Sequence, residues 1–267
     1  MRMPTLHLTA EARDAPARPQ LRAIRPVDLK DALTRGLSDF VAMPTHIVFL
    51  CLIYPIVGLF LGRLAFGYDM LPLLFPLMAG FALLGPFAAI GLYELSRRRE
   101  HGLEACWTDA FDVLGSPSFA AIAALGFLLM LIFTVWLAVA DWIYVATFGN
   151  TPVASMGDFL DQILTTSSGW RLIILGNGIG FLFALLVLTI GVVSFPLLLD
   201  REVGVATAIL TSTRLVCESP LAMSLWGLIV AALLVIGSLP FFIGLAVVIP
   251  VLGHSTWHLY RKAVIAA

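Results

Sequence analysis

Apolar and polar positions along this chain fall into long blocks rather than short alternations. Stretches free of Asp, Glu, Lys and Arg run over Phe40–Gly62, Met70–Tyr93, Val113–Ala140, Leu172–Leu199 and Ser219–Tyr260. About 20 apolar residues, each rising 1.5 Å in a helix, cross the hydrocarbon of a bilayer. The first four stretches therefore predict one spanning helix apiece. The last is 42 residues long, twice what one crossing needs, and Gly237-Ser238-Leu239-Pro240 interrupts it near its middle. Proline lacks an N–H and pushes its predecessor out of the helical region, so this stretch predicts a helical hairpin. The sum is six transmembrane helices.

Between the spans lie three segments of mixed character, Leu29–Met43, Gly102–Ser116 and Val205–Ser219, each followed by a proline: Pro44, Pro117 and Pro220. Each reads as an amphipathic helix at the membrane surface that hands over to a span. Aligned on these prolines, the residue twelve earlier is alanine in all three (Ala32, Ala105, Ala208) and the residue nineteen earlier is arginine (Arg25, Arg98, Arg201). Five earlier stand Asp39, Asp112 and Leu215; four earlier stand Phe40, Val113 and Val216. The ends of the even-numbered spans also align: Pro86 through Arg98 matches Pro250 through Lys262, with Tyr93 opposite Trp257 and Leu95 opposite Leu259. The pattern predicts an all-α membrane protein built as three repeats, each a cytoplasmic amphipathic helix followed by a transmembrane hairpin. The units run over about 27–94, 95–199 and 200–262. Residues 1–26, with four prolines, read as a mobile cytoplasmic tail before a single membrane domain over 27–265.

Composition agrees with this class. Of 267 residues 60% are apolar and 12% charged, and the mean hydropathy is +0.98. A soluble domain carries about twice that charge. The N-terminal residues contain charges but no apolar core, unlike a cleavable signal. Orientation follows from the basic residues: fourteen of the sixteen lie at what would be one membrane face, and only Arg63 and Arg171 lie at the other. The bias predicts a multi-pass membrane protein with both termini in the cytoplasm. A net charge of −1 gives no reason to expect nucleic acid. Cys51, Cys106 and Cys217 lack the spacing of a disulfide framework or a zinc site.

The one sizeable outer loop, Asp141–Arg171, contains Ser155 and Asp158 in capping-box spacing and then Phe159, Leu160, Ile163 and Leu164. It reads as a short helix on the outer leaflet. Trp136, Trp142, Tyr144 and Trp170 are expected at the outer headgroup level.

Ionisable residues within spans are costly and are the natural candidates for chemistry. Counted from the prolines near the ends of the even-numbered spans, Pro86, Pro196 and Pro250, Asp200 and His254 lie four residues on, while Glu94 and His258 lie eight on. Four and eight are one and two helical turns, so each set faces one side of its helix. If the repeats pack around a threefold axis, Glu94, Asp200, His254 and His258 converge, with His46 at similar depth. Imidazole with carboxylate suits a metal ion, and one imidazole suits haem iron; the same groups also serve in proton relay or in plain ion pairs. Gly176-Asn177-Gly178-Ile179-Gly180 reads as small residues for close helix approach, since no strand precedes it. Signatures of ATP binding, of an esterase nucleophile or of a zinc protease are absent.

Three motifs together, Gly91 through Glu100, Phe195 through Arg201 and Gly253 through Lys262, resemble a family of bacterial predicted integral membrane proteins of the domain-of-unknown-function 2189 type. Some of its members are labelled cytochrome c oxidase subunit I-like, although this chain lacks the many mid-span histidines of a haem–copper subunit. The resemblance implies an inner-membrane location and no assigned activity. On these grounds the expected function is a non-enzymatic scaffold, assembly or accessory component. A metal- or haem-binding protein is the alternative, and a small-solute transporter or channel the second. The expected partners are the lipid bilayer, anionic headgroups at the cytoplasmic amphipathic helices, and another membrane protein or a second copy of the chain.

Overall fold

The computed structural model describes residues 19–43, 58, 62, 71–149, 156–239 and 244–265. Most of the expected first span, including His46 and Cys51, and all but the end of the N-terminal tail lie outside these residues. The described secondary structure is helical apart from one bridge. Among the described residues, four helices are long and apolar enough to cross a bilayer: α2 (Leu74–Glu100), α3 (Phe119–Phe148), α5 (Ser167–Asp200) and α7 (Pro220–Ser238). Around them lie α1 (Pro26–Ala42), a 3-10 helix (Trp107–Gly115), α4 (Met156–Thr165), α6 (Val205–Glu218) and α8 (Leu245–Ala263). The 30-residue α3 is roughly 45 Å long, more than the hydrocarbon alone requires.

Local chemistry sets the boundaries. The Asp28 carboxylate accepts the Arg25 backbone N–H at 2.9 Å, and Asp109 accepts that of Cys106 at 2.8 Å, so α1 and the 3-10 helix both open on an acidic residue reaching back. Pro220 occupies the first turn of α7, where its missing N–H costs nothing. Gly149 closes α3 at φ +74°, and the Thr166 hydroxyl caps α5 by accepting the Gly169 N–H at 3.0 Å. Inside α2 the regular spiral tightens to a 3-10 turn at Ala82–Leu84 just before Pro86. α5 loosens at Val192-Val193, before Pro196.

The structure departs from the sequence pattern at two places. The segment Gly102–Ser116 is not an α-helix: Gly102, at φ +69°, ends α2 in a left-handed turn, and only Trp107–Gly115 coils, as a 3-10 helix. Trp136 is not a headgroup marker. It is 4% exposed, packs on Phe183, and donates its indole N–H to the Pro76 carbonyl at 2.8 Å. That carbonyl and the close approach of Gly80 make a slot for the indole on α2, and burial with a satisfied N–H outweighs the interface.

The packing is ordered around the ends of α2, α5 and α8, which touch one another pairwise. Each carries one shorter element on its flank: the 3-10 helix lies on the end of α2, α6 on α5, and α1 on α8. The first two pairs are neighbours in sequence, whereas α1 and α8 join opposite ends of the described chain. A bridge between Leu21 and Val264 extends that union, with Arg22 N–H donating to the Ala263 carbonyl at 2.8 Å and Ile265 N–H to that of Gln20 at 3.0 Å. Tyr93, Phe195, Trp257 and Tyr260 are buried where the three ends meet. Further along the long helices, Phe127, Leu131, Leu182, Leu228 and Val235 point outward, as faces in contact with acyl chains do.

Candidate functional site

The polar residues gather at the same end of the bundle, and the centre of the group is Asp39 on α1. Its carboxylate is 4% exposed. It accepts the Ser96 hydroxyl at 2.6 Å and His258 Nε2–H at 2.8 Å, and it pairs with Arg99. Ser96 Oγ also lies 2.8 Å from His254 Nδ1. Because the serine proton points at Asp39, a lone pair faces the imidazole, and His254 donates from Nδ1. One carboxylate thus joins α1 to Ser96 and Arg99 of α2 and to His258 of α8, with His254 one bond further in. Burial raises the pKa of Asp39, but the bonds from His258 and Ser96 and the nearby imidazoles outweigh it, so the carboxyl stays below its ordinary range.

Neighbouring ion pairs continue this layer. Glu100 accepts the Trp257 indole N–H and Arg261 Nε–H, both at 2.9 Å. Asp200 accepts Tyr260 OH at 2.5 Å and Arg261 Nη1–H at 3.3 Å. Glu94, 3% exposed, receives Arg97 through two bonds of 2.7 and 2.8 Å and Arg98 at 3.1 Å. Arg98 reaches on to Asp109 and Asp112, and Asp31 holds Lys262 at 2.7 Å and Arg35 at 2.9 Å.

Two open clefts flank the layer. The first, about 640 Å³, lies between α1 and the ends of α2 and α8, with Asp39 and His258 on its wall. The second, about 500 Å³, lies between the 3-10 helix and the ends of α2 and α5, with Glu94, Asp112 and Asp200 on its wall.

The structure therefore divides the four candidate residues into two pairs. His254 and His258 meet at Asp39, directly or through Ser96, whereas Glu94 and Asp200 face the other cleft and are engaged by arginines and a tyrosine. Among the described residues, no three His, Cys, Asp or Glu side chains form a group that could hold a metal ion. His46 lies outside the described residues. The carboxylate that the histidines meet, Asp39, comes from the amphipathic helix rather than from a span. Its signal in the sequence was the match with Asp112, five residues before each proline. Ser96 carried no such signal.

The three motifs that point to a family occupy the ends of α2, α5 and α8, where this layer is built. Residues 74–200 match a family model described as a predicted integral membrane protein (DUF2189). The match runs from the start of α2 to the end of α5, taking in Glu94, Ser96, Arg97, Arg98, Arg99, Glu100 and Asp200. It covers the first motif and the second up to Asp200, and the chain is an integral membrane protein. The description names no activity, and nothing in it supports the cytochrome c oxidase label. No curated protein and no solved structure matches the chain.

Proposed function

We propose that this protein is a non-enzymatic component of the bacterial inner membrane, a scaffold, assembly or accessory subunit with six spans and both termini in the cytoplasm. What carries the reading is the use made of its polar groups. Asp39, Glu94, Glu100 and Asp200 each hold helices or turns together through two or more bonds. At mid-span depth the described helices offer little besides Asn177, whose side-chain amide donates to the carbonyl of Ile173 in its own helix at 2.8 Å. Polar chemistry spent on cohesion suits a part that supports other proteins better than one that turns over a substrate.

The threefold repeat belongs to the same proposal. Each amphipathic segment lies against the closing helix of the unit before it, and α1 on α8 completes the circle. Both clefts take one wall from such a segment and two from neighbouring closing helices, and the aligned Asp39 and Asp112 stand in corresponding walls. α8 is the sixth span in this reading. Its final two turns, with His254, His258, Arg261 and Lys262, lie at the headgroup level.

The test is purification from native membranes at native abundance, with metal content and absorption spectrum recorded beside His254→Ala/His258→Ala. The expected result is a stoichiometric complex with another membrane protein or a second copy, carrying neither metal nor haem. Near-stoichiometric metal or a haem band lost in the double variant would replace this reading with the metal-binding one. Solute flux in proteoliposomes that Asn177→Leu abolishes would replace it with transport.

A further inference from the structure

The first cleft differs from the second in the sign of its charge. Arg35, Arg99, Arg261 and Lys262 line it, against the two carboxylates Asp39 and Glu100. In the second, Arg97, Arg98 and Arg201 are outnumbered by Glu94, Asp112, Asp200 and Glu202. The four cations of the first come from three helices, α1, α2 and α8. Their side chains are 23% to 61% exposed, so a solute can reach them.

Their existing bonds orient them without exhausting them. A guanidinium has five N–H donors and an ammonium three. Arg35 engages Asp31 through Nε alone, Arg261 uses Nε and Nη1, and Lys262 gives one donor to Asp31. Arg99 gives Nη1 to Asp39, and both its terminal nitrogens stand 3.4 Å from Ser38 Oγ, a weak contact that a better acceptor displaces. The stems are thus held at their carboxylate side while the remaining N–H groups line the cleft. Forked donors converging from several directions suit a tetrahedral oxyanion.

Position narrows the ligand. The cleft opens beside the last residues of α8 and of α2, where apolar helix gives way to Arg261-Lys262 and to Arg97-Arg98-Arg99. The geometry points to a phosphate-binding cleft, with Arg35, Arg99, Arg261 and Lys262 as ligands to a phosphate group bearing net negative charge. At the membrane surface that group is carried by an anionic lipid or by a soluble phosphorylated compound. The inference deepens the proposed placement of α1 and the end of α8 at the cytoplasmic headgroup level, and it asks nothing of the scaffold role.

The experiment uses the full chain in nanodiscs, which expose both membrane faces, so binding is read whatever the topology. Native mass spectrometry counts lipids retained from phosphatidylcholine discs with and without phosphatidylglycerol. Separately, inorganic phosphate is titrated against thermal stability in phosphatidylcholine alone. Selective retention of phosphatidylglycerol identifies a headgroup site, and stabilisation by inorganic phosphate without selective retention of phosphatidylglycerol identifies a soluble ligand; either supports the cleft. Each cation near the surface contributes about fivefold in affinity, so Arg35→Gln loses about fivefold and Arg35→Gln/Lys262→Gln roughly thirtyfold. Arg35 is the most exposed of the four, and its single variant keeps the fold. Arg214→Gln, an equal loss of charge on α6, retains wild-type binding. If Arg214→Gln weakens binding as much as the cleft variants do, or if neither probe binds, the cleft is not a phosphate site.

Discussion

Asp39 shows how much one side chain decides here. A carboxylate removed from water is tolerated only when its lone pairs are filled by donors, and here serine, histidine and arginine fill them from two other helices. Replacing it by asparagine keeps the shape but points an NH2 at donors and removes the charge that Arg99 and His258 face. The expected cost is about 3 kcal/mol, read as a lowered midpoint of thermal unfolding in detergent at pH 7. A loss below about 1 kcal/mol would mean that solvent has replaced the carboxylate. The sign of the pH dependence follows from the lowered pKa. Asp39 stays ionised to lower pH in the folded protein than in the unfolded chain, so its contribution is complete above the unfolded value of about 3.9. It is lost as pH falls through the folded value. Thermal melts from pH 7 to pH 3 should thus converge for wild type and Asp39→Asn at the acid end; parallel curves contradict the assignment.

At the scale of elements, the union of α1 with α8 is the contact that neither helix contains in its own sequence. Gly36 makes it close. A methyl group there would lie 2.0 Å from Ser255 Oγ and 2.6 Å from the Ser255 backbone nitrogen. Backbone cannot swing aside, so Gly36→Ala, which favours the helix itself by about 1 kcal/mol, should still destabilise the protein by pushing α1 away from α8. Limited proteolysis checks this: cleavage within α1 should accelerate in Gly36→Ala and not in Thr34→Ala, whose site is exposed on the same helix. Equal rates would show that α1 docks more loosely than the contact implies. Elements as such were largely legible. Among the described residues the long apolar runs became α2, α3, α5 and α7, and the segment after Ser155 became α4. The 3-10 helix was not, because amphipathic spacing over Trp107–Gly115 fits a tighter coil as well as an α-helix, and the turn at Gly102 decides between them.

For the molecule as a whole, the topology proposed from the basic residues is open to a direct check with its own thiols. Cys106 and Cys217 are free and exposed. Each lies on a segment assigned to the cytoplasmic face, so a membrane-impermeant maleimide should label both in inside-out vesicles and neither in right-side-out spheroplasts. An added cysteine at Asp158 should behave in the opposite way. Labelling of Cys106 and Cys217 from different sides would break the six-span scheme, since it requires an odd number of crossings between them.

Local, additive physics governs the features that can be read along the chain. Blocks of apolar residues long enough to cross hydrocarbon establish a helical membrane protein, and prolines and caps establish where helices stop. The family resemblance was legible in the same way, because its motifs are contiguous. Tertiary structure alone decided which carboxylate meets which histidine. His254 and His258 share a helical face by spacing, but their partner lies 219 residues from His258 in sequence, on a helix that reaches it only through the closure of α1 on α8. Glu94 and Asp200, which the sequence alignment sets beside them, were drawn to nearby arginines and to Tyr260. Periodicity places a side chain on one face of its own helix; which charge it finds there depends on neighbours that only packing supplies.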